Sequence, residues 1–319
     1  KDVEISTLID TSRKRAKRLG KKFGIENILD DYTKALDRAN IDFACITVPP
    51  LYHTEIAVDF MKAGKHVLIE KPMATTTGES KAILETSKSA GVLAGVVHNR
   101  RFFPIIQQVK KAVEYGKLGD VYQADFVSMV SGPSVGYPGA DWHFDQKVSG
   151  GGVIMDQGTH TVDLIRYLLG DIRNVFAMNS DVLKNLDVDV AATALLQTEL
   201  GANCTLELSW LNDFTLCPIS LWGTSGSIFA EPMFGYYEEI HGPRNPVRRW
   251  INITQTLIRF AHQFVQQQAS PSHHALLSNF IASIRSGRKP LVTAKDGLKS
   301  IEAVDGLYRS AKQGIKVTI

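Results

Sequence analysis

Two short runs carry side chains able to do chemistry. Glu70-Lys71-Pro72 follows a β-rich run, His66 to Ile69. A lysine at the C-terminal end of a strand points into the crevice where open α/β sheets bind ligands. An X-Pro bond at that point can be cis and turn the chain sharply. The second run is Gly150-Gly151-Gly152-Val153-Ile154-Met155-Asp156-Gln157-Gly158-Thr159-His160-Thr161-Val162-Asp163. Asp156 and His160 are four apart and share a face if the segment is helical, with Asp163 three beyond. A histidine beside a carboxylate has its tautomer and basicity set, as a general base requires. Three successive glycines let the backbone approach a ligand closely. Taken singly, each run also has a bland reading: a surface lysine, a helix cap at Asp156, a structural histidine.

These residues need a frame. Val3 to Ile9 reads as a strand ending in Asp10, and residues 12–23 as a helix stopped by Gly24. Phe43 to Val48, His66 to Ile69 and Val92 to Val97 are further β-rich runs, with helical patterns over 52–63 and 77–90. Alternation of this kind predicts a parallel sheet with crossover helices. The rhythm then changes. Residues 121–130, 173–180, 189–198, 202–210, 216–223 and 227–231 are short, closely spaced β-rich runs. Helical patterns cover 103–115, 158–169, 249–268, 274–286 and 295–313. The expected fold is an α/β Rossmann-like parallel-sheet domain over residues 1–100, joined to an α+β domain with a mostly antiparallel open sheet over 101–319. The last helix is expected to pack back on the first domain. No GxGxxG turn occurs, and Asp10 ends the first visible strand where the ribose-binding acid ends the second strand of a dinucleotide-binding domain. The first domain is therefore expected to be incomplete at its N-terminus, with roughly 25–35 further residues upstream, the size of one βα unit.

Composition narrows the classes. The chain has 319 residues, 36 Lys plus Arg against 33 Asp plus Glu, 44% hydrophobic and 22% charged residues. That excludes a disordered, collagen-like or nucleic-acid-coating chain. Cys45, Cys204 and Cys217 form no CxxC pair or disulfide framework, so no metal site is expected and a reducing, cytoplasmic setting is. No apolar run approaches the roughly 20 residues of a membrane span, and the mix of basic and aromatic residues is too sparse for nucleic acid. Residues 240–295 contain no Asp or Glu. There Arg248 and Arg249, near Arg244, are candidates to bind a phosphorylated or nucleotide-linked substrate. Val190, Leu195, Leu206, Leu208, Trp210 and Leu221 are expected on an open sheet face, which predicts a homodimer or homotetramer built sheet to sheet.

The two runs have company in order along the chain. Thr47-Val48-Pro49-Pro50 with His53 comes first, then Gly64-Lys65-His66-Val67-Leu68-Ile69-Glu70-Lys71-Pro72, then Asn99-Arg100-Arg101-Phe102, then the glycine-Asp-Gly-His-Asp run. In this combination the chain resembles the Gfo/Idh/MocA oxidoreductases, relatives of glucose-fructose oxidoreductase and inositol dehydrogenase. The resemblance implies an NAD-dependent oxidoreductase acting on a secondary alcohol of a sugar, cyclitol or sugar nucleotide. It implies Asp10 on the adenosine ribose, with Arg13 or Lys14 able to accept the extra phosphate of NADP. Thr47, Pro49 and His53 are implied at the nicotinamide end, supported by Glu70 and the Lys71-Pro72 turn, with Asn99 and Arg101 close to cofactor or substrate. Lys71, Asp156 and His160 are the implied catalytic and substrate-binding set, with Asp156 orienting His160 or gripping a hydroxyl. The same family resemblance allows an NAD-retaining glycoside-eliminating enzyme and a non-catalytic dinucleotide-binding regulator.

Overall fold

In the computed structural model the residues described are 3–133, 141–180, 182–183, 186–241 and 271–319. Arg244, Arg248, Arg249 and the helix expected over 249–268 lie outside them. The first domain holds two small parallel sheets. β1 (Leu8–Ile9) pairs with β2 (Ile28–Leu29), and β3 (Phe43–Ile46), β4 (His66–Ile69) and β5 (Ala94–Val96) form a sheet in the order β3-β4-β5. No ladder joins the two among the described residues. The strand expected over Val3 to Ile9 is only Leu8–Ile9, because its partner offers just Ile28 and Leu29.

Helices α1 (Arg13–Phe23), α2 (His53–Lys62) and α3 (Thr77–Ala90) connect these strands. A capping box sets the start of α3: Thr76 accepts from the Glu79 amide while Glu79 accepts from the Thr76 amide. Phe60, Met61, Val67, Ile69, Met73, Ile83 and Val96 fill the core between sheet and helices. This packing holds the C-terminal ends of β3 and β4, and so Thr47 and Lys71, at one crevice.

The second domain is a large sheet. Its strands are β6 (Val121–Ser131), β7 (Ile172–Ser180), β8 (Ala191–Thr198), β9 (Asn203–Ser209), β10 (Leu211–Leu216), β11 (Ile219–Gly223), β12 (Gly226–Glu231), β13 (Tyr236–His241) and β14 (Val317–Thr318). They run in the order β13-β12-β11-β6-β9-β8-β7-β14, with β10 paired to β6. All pairs are antiparallel except β6 with β9. Strands β10, β13 and β14 were not foreseen from the sequence. Helices α4 (Pro104–Glu114), α5 (Gln146–Ser149), α6 (Thr159–Leu169), α7 (Pro271–Ser286) and α8 (Ala294–Gln313) complete the described elements.

Alternation decides which face of the sheet is covered. Along β9, Cys204, Leu206 and Leu208 are buried while Asn203 and Glu207 are exposed. The expected open face was therefore wrong for most of its residues. Val190, Leu206, Leu208, Trp210 and Leu221 belong to this chain's own core, and only Leu195, at 57% exposure, lies on the uncovered side. A strand's period of two puts neighbours on opposite faces, so Ala192, Ala194 and Leu196 of β8 join the core. Across the uncovered face runs the row Phe176, Leu195, Thr205, Asp125, Ser220 and Phe229.

Helix α8 bridges the domains. Asp305 accepts from Thr77 of α3, and Ser310 accepts from the Ala177 amide of β7 at 2.9 Å. A Cβ on Gly297 would lie 2.7 Å from Met73 Sδ, so only glycine allows this approach. Arg101 completes the join, and corrects an expectation. It does not reach toward a ligand: its guanidinium donates to both oxygens of Asp163 at 2.8 and 2.6 Å and to Asp296 at 3.0 Å. It also donates to the Leu291 carbonyl at 3.2 Å and lies over the Tyr167 ring at 4.9 Å. Arg101 and Asp163 are 4% and 1% exposed, so losing one partner strands the other charge out of water. Arg101→Met is expected to lower unfolding free energy by about 3–5 kcal/mol, while adding Asp163→Leu recovers part of that loss. Urea unfolding of the single and double variants measures both.

Candidate active site

The site forms where the two domains meet. The Lys71–Pro72 bond after β4 is cis, and the Lys71 ammonium forms an ion pair with the carboxylate of Asp156 from the second domain. Asp156 also accepts from Trp210 Nε1 at 3.0 Å and Gln157 Nε2 at 2.7 Å. Burial alone would raise the Asp156 carboxyl. The Lys71 ammonium outweighs it, with the Gln157 and Trp210 hydrogen bonds, and holds the group at about 2.

The glycine run positions this carboxylate differently from expectation. A Cβ on Gly152 would sit 1.9 Å from the Asp189 carbonyl, and one on Gly151 2.1 Å from Tyr308 Oη. The close approach is thus to the chain itself. Asp189 accepts from the Gly152 and Ile154 amides at 3.0 and 2.7 Å, and Tyr308 donates to Asp189 at 2.8 Å. These contacts satisfy the free amides at the start of the segment leading into α6. Ile154–Gly158 is one π-helical stretch, wider than an α-turn and frequent at functional sites. Its winding takes Asp156 out of the row that an α-helix would share with His160, so the expected Asp156–His160 pair does not form.

His160 is 9% exposed, and its Nδ1 has no partner among the described residues. Its ring lies edge-on to that of His98 at 6.4 Å. Burial first, then the positive charges of Arg100 and Lys71, push His160 well below the ordinary imidazole range. It is a neutral base near pH 7. His98 is buried too, and burial lowers it to about 4.

The remaining expected residues divide. Thr47, Val48, Pro50, Glu70, Lys71 and Pro72 from the first domain line a cleft of about 240 Å³, facing Trp142, His143, Met155, Asp156 and Trp210 from the second. Pro50, not Pro49, forms that wall. His53 is fully buried and does not face the cleft: its ring nitrogens lie 2.9 Å from the Pro72 carbonyl and 2.8 Å from that of Val48. It braces the two loops that make the cleft's edge. Asn99 is buried and is not among the cleft-lining residues, donating to Ser272 Oγ at 3.2 Å at the start of α7. Burial raises the Glu70 carboxyl, and its oxygen accepts from the Lys71 amide at 3.0 Å.

After β1, Asp10 accepts from the Ser12 amide at 2.7 Å. Its cationic partner is Arg15, at 2.7 Å, rather than Arg13, which is exposed. For NAD the fit is at the ends: Asp10 after β1 for ribose hydroxyls, and Thr47, Glu70 and Lys71 after β3 and β4 for the nicotinamide. The buried His160 Nδ1 without a partner adds a polar group suited to a ligand. Asp189, Tyr308, Trp210 and Arg15 were missed as site residues; Gln157, Arg100 and Pro50 lay inside runs already singled out.

Comparison with known proteins places this geometry. Residues 1–98 match the model described as "Oxidoreductase family, NAD-binding Rossmann fold", and residues 106–229 the GFO/IDH/MocA C-terminal domain. The D-apiose dehydrogenase of Rhizobium rhizogenes is 27% identical over 334 residues, covering 100% of this chain and 92% of that protein. A levoglucosan dehydrogenase of Pseudarthrobacter phenanthrenivorans is 32% identical over 171 residues, which span 52% of this chain and 42% of the relative. The structure of the WlbA dehydrogenase from Bordetella pertussis with NADH and UDP-GlcNAcA superposes with a TM-score of 0.84 at 23% identity, covering 99% of this chain and 90% of that one.

Buried His98 and His160, with His53 shifted the same way, set an acid limit on stability. Above about pH 6.5, His98 is neutral in both folded and unfolded chains. As pH falls, the unfolded chain takes up the proton first, so stability drops until the folded group titrates at about 4. The loss is roughly 3 kcal/mol for His98, and His160 adds to it in the same direction. Thermal unfolding between pH 7 and 4 is expected to show a shallower decline for His98→Phe than for wild type.

Proposed function

The chain belongs to the Gfo/Idh/MocA oxidoreductases, with an NAD-binding Rossmann domain, and from that premise we propose that it oxidises a secondary alcohol of a sugar, cyclitol or sugar nucleotide. The observation that carries the reading is the Lys71–Asp156 pair beside a neutral, buried His160. NAD, when bound, accepts the hydride. Asp10 and Ser12 would hold the adenosine end, and Thr47, Glu70 and Lys71 the nicotinamide end. His160 takes the hydroxyl proton, which a neutral imidazole can do near pH 7. The Lys71 ammonium faces the oxygen as negative charge develops on it. Asp156 aims that ammonium, and does not orient His160. Trp142 and Trp210 wall the cleft on the substrate side.

The substrate class is supported by what the relatives are named for, D-apiose and levoglucosan among them. The acid-free stretch 240–295 supports an anionic substituent on the substrate, held by Arg248 and Arg249. Exposed Leu195 and Met178 on the uncovered sheet face support a second copy of the chain there; light scattering returning a monomer at micromolar concentration would remove that support.

NADH formation with D-apiose, levoglucosan, inositols and a UDP-linked sugar tests the reaction. Lys71→Ala and His160→Ala are expected to lower turnover about 100-fold or more, far more than they weaken NAD binding. A loss of about tenfold or less, about 1.4 kcal/mol of barrier, contradicts these roles. Substrate consumption without net NADH points instead to elimination with a retained cofactor.

A further inference from the structure

Asp156 has both oxygens engaged. Oδ1 meets Lys71, and Oδ2 accepts from Gln157 Nε2 at 2.7 Å and from Trp210 Nε1 at 3.0 Å. The other end of the Gln157 amide is engaged too. Its Oε1 accepts from Arg100 Nη2 at 2.5 Å and from Ser128 Oγ at 3.0 Å. An amide can be placed either way round unless its neighbours decide, and here they do. Turned over, Gln157 would point its NH2 at a guanidinium and its carbonyl at a carboxylate, two repulsive contacts in place of two attractive ones. Among the described residues Arg100 makes no ion pair, the Glu231 carboxylate feeling its charge only at longer range, and its second hydrogen bond is to Ser128 Oγ at 3.4 Å. A half-buried cation with only neutral oxygens for partners is costly as a structural element. Its charge is instead directed, through one amide, at the carboxylate that holds Lys71. Hydrogen bonds in such a series polarise one another.

We propose that Arg100 and Gln157 are positioning residues: the Arg100 guanidinium fixes the orientation of the Gln157 amide, and that amide fixes the Asp156 carboxylate against Lys71. The proposal rests on the reading of Lys71 and Asp156 as the working pair of the site. The order of the series matters. Gln157 acts on Asp156 directly, whereas Arg100 acts only through Gln157. The positive charge of Arg100 also favours the neutral form of the His160 imidazole. Ser128, fully buried on β6, is the second donor that keeps the amide from turning.

Trp210 provides a readout that needs no substrate, because its indole N–H donates to the same oxygen as Gln157. The chain has 4 tryptophans, and the Trp210 indole signal in a ¹⁵N-labelled sample is identified by its loss in Trp210→Phe. Gln157→Leu is expected to displace that signal more than the other indole signals. Arg100→Gln is expected to displace it in the same direction, Arg100→Lys to restore most of the wild-type position, and Arg100→Gln in the Gln157→Leu background to add nothing further. An unmoved Trp210 signal in Arg100→Gln, or displacements that simply add in the double variant, overturns the series. Arg100→Lys guards against a variant that merely misfolds. In turnover, Gln157→Leu and Arg100→Gln are each expected to reduce kcat about tenfold while KM for NAD stays put. If the indole signals behave as described but kcat is unchanged, the geometric series stands and the catalytic role of the Lys71–Asp156 pair is what fails.

Discussion

The ion pair between Lys71 and Asp156 is the contact on which the site depends, because it joins two domains that bring one charge each. Lys71 stands at the C-terminal end of β4, and Asp156 in the π-helical stretch before α6. Both side chains are 18% exposed. A pair this far from water is stable only with further hydrogen bonds to its remaining atoms. Trp210 and Gln157 supply them for the carboxylate, and the Asp189–Tyr308 contacts hold the backbone that carries it. His160 follows from the same arrangement. With Lys71 charged and Arg100 near, a buried imidazole stays neutral, so one residue is the cation and another the base.

A second charged cluster makes the first possible. Arg101 binds Asp163 on α6 and Asp296 on α8, and so fixes the turn after β5 to two helices of the second domain. Its neighbour Arg100 then points to Gln157, and Asn99 to the start of α7. Three consecutive residues thus have three separate duties, one structural, one toward the catalytic carboxylate and one toward the next helix. Adjacent residues in a short 3-10 turn project in different directions, which is why a single motif divides this way.

The parallel and antiparallel parts of the fold were legible because periodicity reports them directly. Helices α3 and α6 and strands β4 and β7 lie where apolar spacing and stop signals put them. Lys71, Asp156 and His160 were legible from type and order along the chain, and the structure gathers Lys71 with Asp156 and sets His160 nearby. Partners were not legible. His53 and Arg101 look like ligand-facing residues in sequence, but whether a polar side chain faces a cleft or a carbonyl is settled by packing across distant segments. The glycine run was read as room for a ligand, whereas Gly151 and Gly152 make room for Tyr308 and Asp189, which come from later in the chain. The sheet face was misread because an apolar face shows the same period of two whether it is covered by the chain's own helices or left open. The Asp156–His160 pairing failed because spacing arguments assume α-helical winding, and the turn holding Asp156 is wider.

A double-mutant cycle across the domain junction tests the central claim most directly. Unfolding free energies are measured in urea for wild type, Lys71→Met, Asp156→Asn and the double variant. If the two charges hold each other as described, the single losses exceed their share of the double loss, leaving a coupling energy of about 1–3 kcal/mol. Losses that add to within about 0.5 kcal/mol would show that Lys71 and Asp156 do not depend on one another, and the site would need a different organising contact.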